Sequence, residues 1–184
     1  MLKGKTVVLG VSGGIASYKI LNLVSILIKS GCNVHIIMTQ NAVNFINPIT
    51  FEELTGNRCL IDIFDRNFQH NIEHIALSKK ADIVMIAPAT ANIIGKITHG
   101  IADDMLTTTI IACTCKKIVV PSMNTSMYEN IIVKDNLKRL KEYGFIIVEA
   151  EHGRLASGDI GVGKMPSEKV LFDYILREFN IESD

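Results

Sequence analysis

Residues 6–17 read Thr6-Val7-Val8-Leu9-Gly10-Val11-Ser12-Gly13-Gly14-Ile15-Ala16-Ser17, an apolar run that ends in a small polar turn. The first six are rich in β-branched side chains with no polar interruption, as in a strand covered on both faces. Past the glycine pair, Ile20, Leu21, Val24, Leu27 and Ile28 recur at helical spacing up to Ser30-Gly31, so 15–30 is predicted to be a helix. Strand, glycine turn and helix together open a βαβ unit. Two glycines permit a tight turn, and the N–H groups at the start of the helix suit an anion such as phosphate, with Ser12 and Ser17 as further hydroxyl donors. The turn is neither G-x-G-x-x-G nor a P-loop, because the Gly-Lys-Ser/Thr ending is missing. A plain strand-to-helix turn is equally compatible with these residues.

The same rhythm continues along the chain. Val34–Met38, Ile83–Ala87, Ile118–Val120 and Phe145–Val148 are four more short apolar runs. Between and after them, helices are predicted at Pro48–Leu54, Ile72–Lys79, Ala91–His99, Asp103–Ala112, Ile131–Tyr143 and Ser167–Phe179. This alternation predicts one doubly wound α/β domain over residues 1–184, Rossmann-like or flavodoxin-like, with helices on both faces of a parallel sheet. In such sheets ligands sit beyond the carboxyl ends of the strands.

Composition narrows the class. Nineteen basic and nineteen acidic residues cancel, which gives no general attraction to nucleic acid or to an anionic membrane. No apolar run is long enough for a signal peptide or a membrane span, so a cytoplasmic location is expected. The four cysteines, Cys32, Cys59, Cys113 and Cys115, match no zinc or disulfide spacing and read as buried thiols in a reducing compartment, with no metal.

The polar residues that follow each strand are the candidate site. Thr39 and Asn41 follow the second strand and suit either a ligand or a helix cap. After the third strand, Ala87-Pro88-Ala89-Thr90-Ala91-Asn92 has small residues that let a flat ring approach, while Thr90 also fits an N-cap. Pro121-Ser122-Met123-Asn124-Thr125-Ser126-Met127-Tyr128 follows the fourth, and Asn124 offers both a donor and an acceptor. His74, in Asn71-Ile72-Glu73-His74-Ile75-Ala76-Leu77, is either a core imidazole or a general base that works near neutral pH. The stretch from Gly153 to Met165 holds four glycines with Arg154, Asp159 and Lys164 between them, and is expected to be a loop or hairpin over residues 152–166 that can close over a substrate.

Taken in order, the Ser-Gly-Gly-Ile-Ala turn, the His74 segment, Pro-Ala-Thr-Ala-Asn, Gly100-Ile101-Ala102-Asp103-Asp104, Pro-Ser-Met-Asn and the glycine-rich stretch resemble the homo-oligomeric flavin-containing cysteine decarboxylase family. The resemblance runs from Val7 to Met165. It implies that FMN is held by Ser12, Gly13, Gly14, Ile15, Thr39, Asn41, Thr90, Ala91, Asn92 and Ser122. It also implies that His74 is catalytic and that Asn124, Met127, Arg154 and Ala156 contact substrate. Members are trimers or assemblies of trimers up to a dodecamer, with the site at a subunit boundary. Ala156-Ser157-Gly158-Asp159-Ile160-Gly161 fits the branch that decarboxylates phosphopantothenoylcysteine in coenzyme A biosynthesis. There, thiol oxidation to a thioaldehyde opens the way to loss of carbon dioxide.

One departure matters chemically. That branch carries a proton-donating cysteine where this chain has Ser157, and a hydroxyl is a far weaker acid than a thiol of reference pKa about 8.5. The serine implies an impaired reductive half-reaction. It fits either an engineered substitution or a protein that stops after oxidative decarboxylation, as the peptidyl-cysteine decarboxylases do. A non-catalytic FMN-binding regulatory subunit and a flavin prenyltransferase are the other readings within reach of the resemblance. Smaller departures are Ile93 after Asn92, where a hydroxyl is usual, and Tyr128 in place of a tryptophan. No synthetase domain follows the flavin domain, so the chain is expected to be monofunctional or half of a bifunctional protein.

Overall fold

Five apolar runs become five parallel strands in the computed structural model, which describes residues 1–65 and 73–181. They are β1 (Thr6–Val11), β2 (Asn33–Met38), β3 (Ile83–Ala89), β4 (Lys116–Pro121) and β5 (Ile146–Ile147), in the order β2-β1-β3-β4-β5. Val7 of β1 stands between Val34 of β2 and Ile83 of β3. Every residue of β1 and β3 is buried, as the uninterrupted apolar runs require; β2, at the edge, leaves Asn33 and His35 half-buried.

Alternation along the strands divides the core in two. Val7, Leu9 and Val11 face α1 (Ile20–Lys29), α3 (Pro48–Thr55) and α9 (Glu168–Glu178), meeting Leu23, Leu27, Phe51 and Leu171. Val8, Val84 and Ile86 face α4 (Glu73–Lys80), α5 (Ala91–Thr98), α6 (Met105–Ala112) and α8 (Ile131–Glu142), meeting Leu77, Ile93, Leu106 and Leu140. Each such side chain contributes roughly 1.5–3 kcal/mol on burial. Gly10 marks the tightest approach, since a Cβ there would stand 2.5 Å from the Leu106 side chain. The helices begin where their sequences ask them to: Asn47, Thr90, Asp104, Asn130 and Ser167 each cap a helix with a side-chain oxygen.

Two short helices escape the periodicity, α2 (Gln40–Val43) and α7 (Thr125–Tyr128), because four residues are too few to show a helical stripe. The first helix opens with a 3₁₀ turn over Ile15–Lys19. The glycine-rich stretch is an antiparallel hairpin of β6 (Glu151–Arg154) and β7 (Ile160–Lys164), which forms its own two-stranded sheet. Among the described residues, no helix is long and apolar enough to cross a membrane, and no three His, Cys, Asp or Glu side chains are grouped to hold a metal ion.

The strand order positions the site. From β1 the chain passes to β2 on one side, then returns across β1 to β3 on the other. The loops leaving β1 and β3 therefore diverge, and a crevice opens between them at the carboxyl edge.

Candidate functional site

Ser12 ties the two diverging loops together. Its side chain is 1% exposed, and its hydroxyl donates to the Pro88 carbonyl at 2.7 Å while accepting the Thr90 N–H at 3.0 Å. Ser17, fully buried, bonds back to the carbonyls of Ser12 and Gly14. Both serines, read above as hydroxyl donors to an anion, are thus engaged within the protein, where they fix the shape of the turn. What the turn presents outward is backbone: Gly14 caps the 3₁₀ turn with no side-chain bond, and Ile15 beyond it is 56% exposed. Thr90 plays the corresponding part across the crevice. Its Oγ1 caps α5 at the Ile93 N–H, leaving Ala91 half-buried and Asn92 exposed in the first turn. Two helix starts consequently point their amino ends into one crevice, an arrangement that favours a phosphate or another anion.

The loop after β2 closes the near side. Thr39 Oγ1 accepts the Ala42 N–H at 3.3 Å as the cap of α2, and the Thr39 N–H donates to Val11 at the end of β1. Asn41, exposed in α2, lies against the glycine turn so closely that a Cβ on Gly13 would stand 2.5 Å from its own Cβ. Gly13 is therefore a glycine for lack of room. Gly14 is looser, since a Cβ there would make an ordinary contact with Pro88 at 3.5 Å.

At the next strand end, the N–H of the half-buried Ser122 donates to the Ala89 carbonyl, holding the β4 loop beside that of β3. Asn124 caps α7, with Oδ1 accepting the Ser126 N–H at 2.8 Å. Its Nδ2 remains a donor for a ligand. Met127, in α7, is 48% exposed.

The hairpin docks on this loop. Met123 N–H donates to the Gly163 carbonyl at 3.1 Å, and a Cβ on Gly163, whose φ is +141°, would run into the Met123 carbonyl. Gly161 is equally close to the Thr125 side chain. Alternate glycines in a strand are the available signal for this close approach, which the expectation of a loop or hairpin did not include. Beyond the docked base, Arg154, Ala156 and Ser157 are exposed around the turn, where Gly158 has φ +93°. Ser157 Oγ donates to Asp159 Oδ2 at 2.9 Å.

His74 is half-buried in the first turn of α4; Asn71 and Ile72 of its segment lie outside the described residues. Only Ala81 and Asp82 separate α4 from β3, so the helix runs antiparallel to that strand and its first turn lies toward the carboxyl edge. The Gly100–Asp104 segment is held by Lys96, which bonds Asp103 at 2.7 Å and Asp104 at 3.0 Å. Burial by itself would raise the Asp104 carboxyl, but the Thr107 N–H and hydroxyl and the Lys96 ammonium outweigh it and hold the group below the usual carboxylate range.

The chain has counterparts among known proteins. Coenzyme A biosynthesis bifunctional protein CoaBC of Borreliella burgdorferi is 43% identical over 181 residues, covering 98% of this chain and 46% of that protein. The chain spans about half the length of the curated relatives it matches. Among solved structures, a cysteine-to-serine mutant of PPC decarboxylase complexed with pantothenoylaminoethenethiol superposes with a TM-score of 0.84 at 28% identity, covering 96% of this chain and 98% of that one. The FMN-dependent cysteine decarboxylase SpaF superposes with a TM-score of 0.82 at 29% identity, covering 95% and 96%. The family model described as Flavoprotein matches residues 1–180, and the chain belongs to that family.

Proposed function

We propose that this chain is an FMN-dependent decarboxylase of 4′-phosphopantothenoylcysteine, acting in the cytoplasm as a trimer or an assembly of trimers whose neighbouring chains complete each site. Residues 1–184 are taken as one FMN-binding domain with a substrate flap at 152–166. The observation that carries the reading is the crevice itself: two helix starts held beside each other by Ser12, next to a Gly13 with no room for a Cβ and a hairpin seated on Met123, the neighbour of Asn124. Those features fit FMN, which has an anionic end to bind and a planar ring to accommodate.

In this reading the backbone of Gly13, Gly14 and Ile15 and the first turn at Thr90, Ala91 and Asn92 hold the phosphate and ribityl chain, with Thr39, Asn41 and Ser122 beside them. Bound FMN supplies a two-electron acceptor for the substrate thiol. His74 takes up the proton that the thiol loses, a task suited to imidazole at neutral pH. Asn124 orients the substrate carboxylate through Nδ2, while Met127, Arg154 and Ala156 cover it and exclude water. Ser157, hydrogen-bonded to Asp159, occupies the place from which a proton must reach the decarboxylated product. A hydroxyl delivers that proton slowly.

The direct test is to load the purified chain with FMN, supply phosphopantothenoylcysteine and weigh the product. Release of 4′-phosphopantetheine or of the corresponding ethenethiol supports the reading. A chain that cannot be loaded with FMN, or a loaded chain that leaves the substrate intact, overturns it. Ser157 also favours a second reading, oxidative decarboxylation of a peptide ending in cysteine. Turnover of such a peptide with no turnover of phosphopantothenoylcysteine would establish that reading instead.

A further inference from the structure

The short helix α7 meets the hairpin twice. At its first residue, the Thr125 side chain lies so close to Gly161 of β7 that a Cβ on that glycine would run into it. At its last residue, the Tyr128 ring is 8% exposed and its hydroxyl reaches the chain entering β6. That hydroxyl donates to Glu149 Oε2 at 2.9 Å and accepts the Ala150 N–H at 3.4 Å. Ala150 is the residue immediately before β6. Between these two contacts the helix carries Met127, and Asn124 is its cap; both are groups proposed to contact substrate.

A single helical turn does not hold itself in place. The main-chain bonds of α7 run from the Tyr128 N–H to the Asn124 carbonyl at 2.9 Å and from the Glu129 N–H to the Thr125 carbonyl at 2.8 Å. They fix its shape, and its orientation is left to its anchors. Tyr128 suits the task because a phenol donates and accepts at once, which neither phenylalanine nor an indole can do. Its acceptor is well prepared. Lys141 Nζ, from α8, bonds the other oxygen of Glu149 at 2.5 Å, and that bond first, with the Tyr128 bond in support, holds the carboxyl below its usual range. Burial, and then the bond to Glu149, push the Tyr128 phenol above its ordinary value, so it keeps the donated proton at neutral pH. The Lys141–Glu149 pair is exposed on both sides and contributes little stability by itself. Its effect is to aim a carboxylate at the phenol.

We propose that Tyr128 is a positioning residue: through Glu149 and Ala150 it ties α7, with Asn124 and Met127, to the entry of the hairpin, so that the flap and the substrate contacts close as one unit. The part of this tie in turnover rests on the decarboxylase reading, whereas the tie itself does not.

Tyr128→Phe removes only the hydroxyl and tests both. Amide hydrogen exchange on the full chain, read by peptide mass, should show residues 150–164 exchanging about fivefold faster, with α8 and the five-stranded sheet unchanged. With FMN loaded and phosphopantothenoylcysteine supplied, kcat per bound FMN should fall by about tenfold while KM moves by less than about twofold. Glu149→Gln keeps an acceptor for the phenol and should stay near wild type in both measurements, whereas Glu149→Ala should shift both toward Tyr128→Phe. Unchanged exchange of the hairpin in Tyr128→Phe overturns the proposal. So does faster exchange spread evenly over the sheet, which marks a merely structural role, or a faster hairpin with kcat at the wild-type level. A loaded wild-type chain that turns over neither phosphopantothenoylcysteine nor a peptide ending in cysteine removes the decarboxylase reading instead, and exchange in the hairpin still supports or overturns the tie.

Discussion

The loops at the ends of β1 and β3 and the hairpin of β6 and β7 border the same crevice but are built in opposite ways. The first are continuations of wholly buried strands, cross-tied by a serine hydroxyl that is 1% exposed. The second is largely exposed at its tip and meets the rest of the protein through main-chain contacts at its base. A binding platform gains from rigidity, whereas a segment that must admit substrate and release product is drawn from the less buried part of a fold. The contrast predicts that damage to the platform costs cofactor and stability together, while damage to the hairpin costs turnover alone.

The largest effect is expected from His74→Asn, which should lower decarboxylation by roughly 10²–10⁴-fold if the imidazole transfers a proton. FMN absorbance should stay at the wild-type level, and activity near the parent level would remove His74 from the mechanism. Next comes Gly163→Ala, whose Cβ meets the Met123 carbonyl at a φ of +141°. Turnover should fall by about tenfold or more as the flap leaves Asn124, with FMN content and melting temperature nearly unchanged; a matching loss of cofactor would erase the distinction between the two regions. Gly13→Ala attacks the platform instead. Crowding Asn41 should cost about 1–3 kcal/mol, read as a lower melting temperature together with weaker FMN retention. Ser12→Ala leaves the part-buried Thr90 N–H without its partner and should cost about 1 kcal/mol, measurable by denaturant titration.

The smallest effect concerns acid stability. The folded pKa of Asp104 is depressed, so its contribution is fully present above the unfolded carboxylate value and is lost as pH falls through the folded one. Asp104→Asn should flatten the melting temperature against pH in that acidic window and leave the neutral plateau little altered in slope.

Much of this was legible in the residues. Among the described residues, the five strands of the parallel sheet and the seven longer helices follow from uninterrupted apolar runs and from helical stripes, and the order of turn motifs pointed to the carboxyl edge. Thr39, Thr90 and Asn124 are helix caps, a role that the sequence allowed for the first two. Other features were hidden for physical reasons. Strand order is a tertiary choice, and the inward aim of the Ser12 hydroxyl depends on Pro88, 76 residues away. The seating of β7 depends on which backbone its glycines approach, and a glycine has no side chain with which to announce a neighbour.

Seating by main chain has a consequence for how the chemistry can be retuned. Because the hairpin is located by the carbonyls and amides at its foot, the identity of the residue at its apex is decoupled from where that apex sits. If the chain has the proposed activity, a hydroxyl in place of a thiol at position 157 is expected to stop the reaction one proton early while the hairpin keeps its seat. In such a scaffold, the choice of product is a single-codon decision.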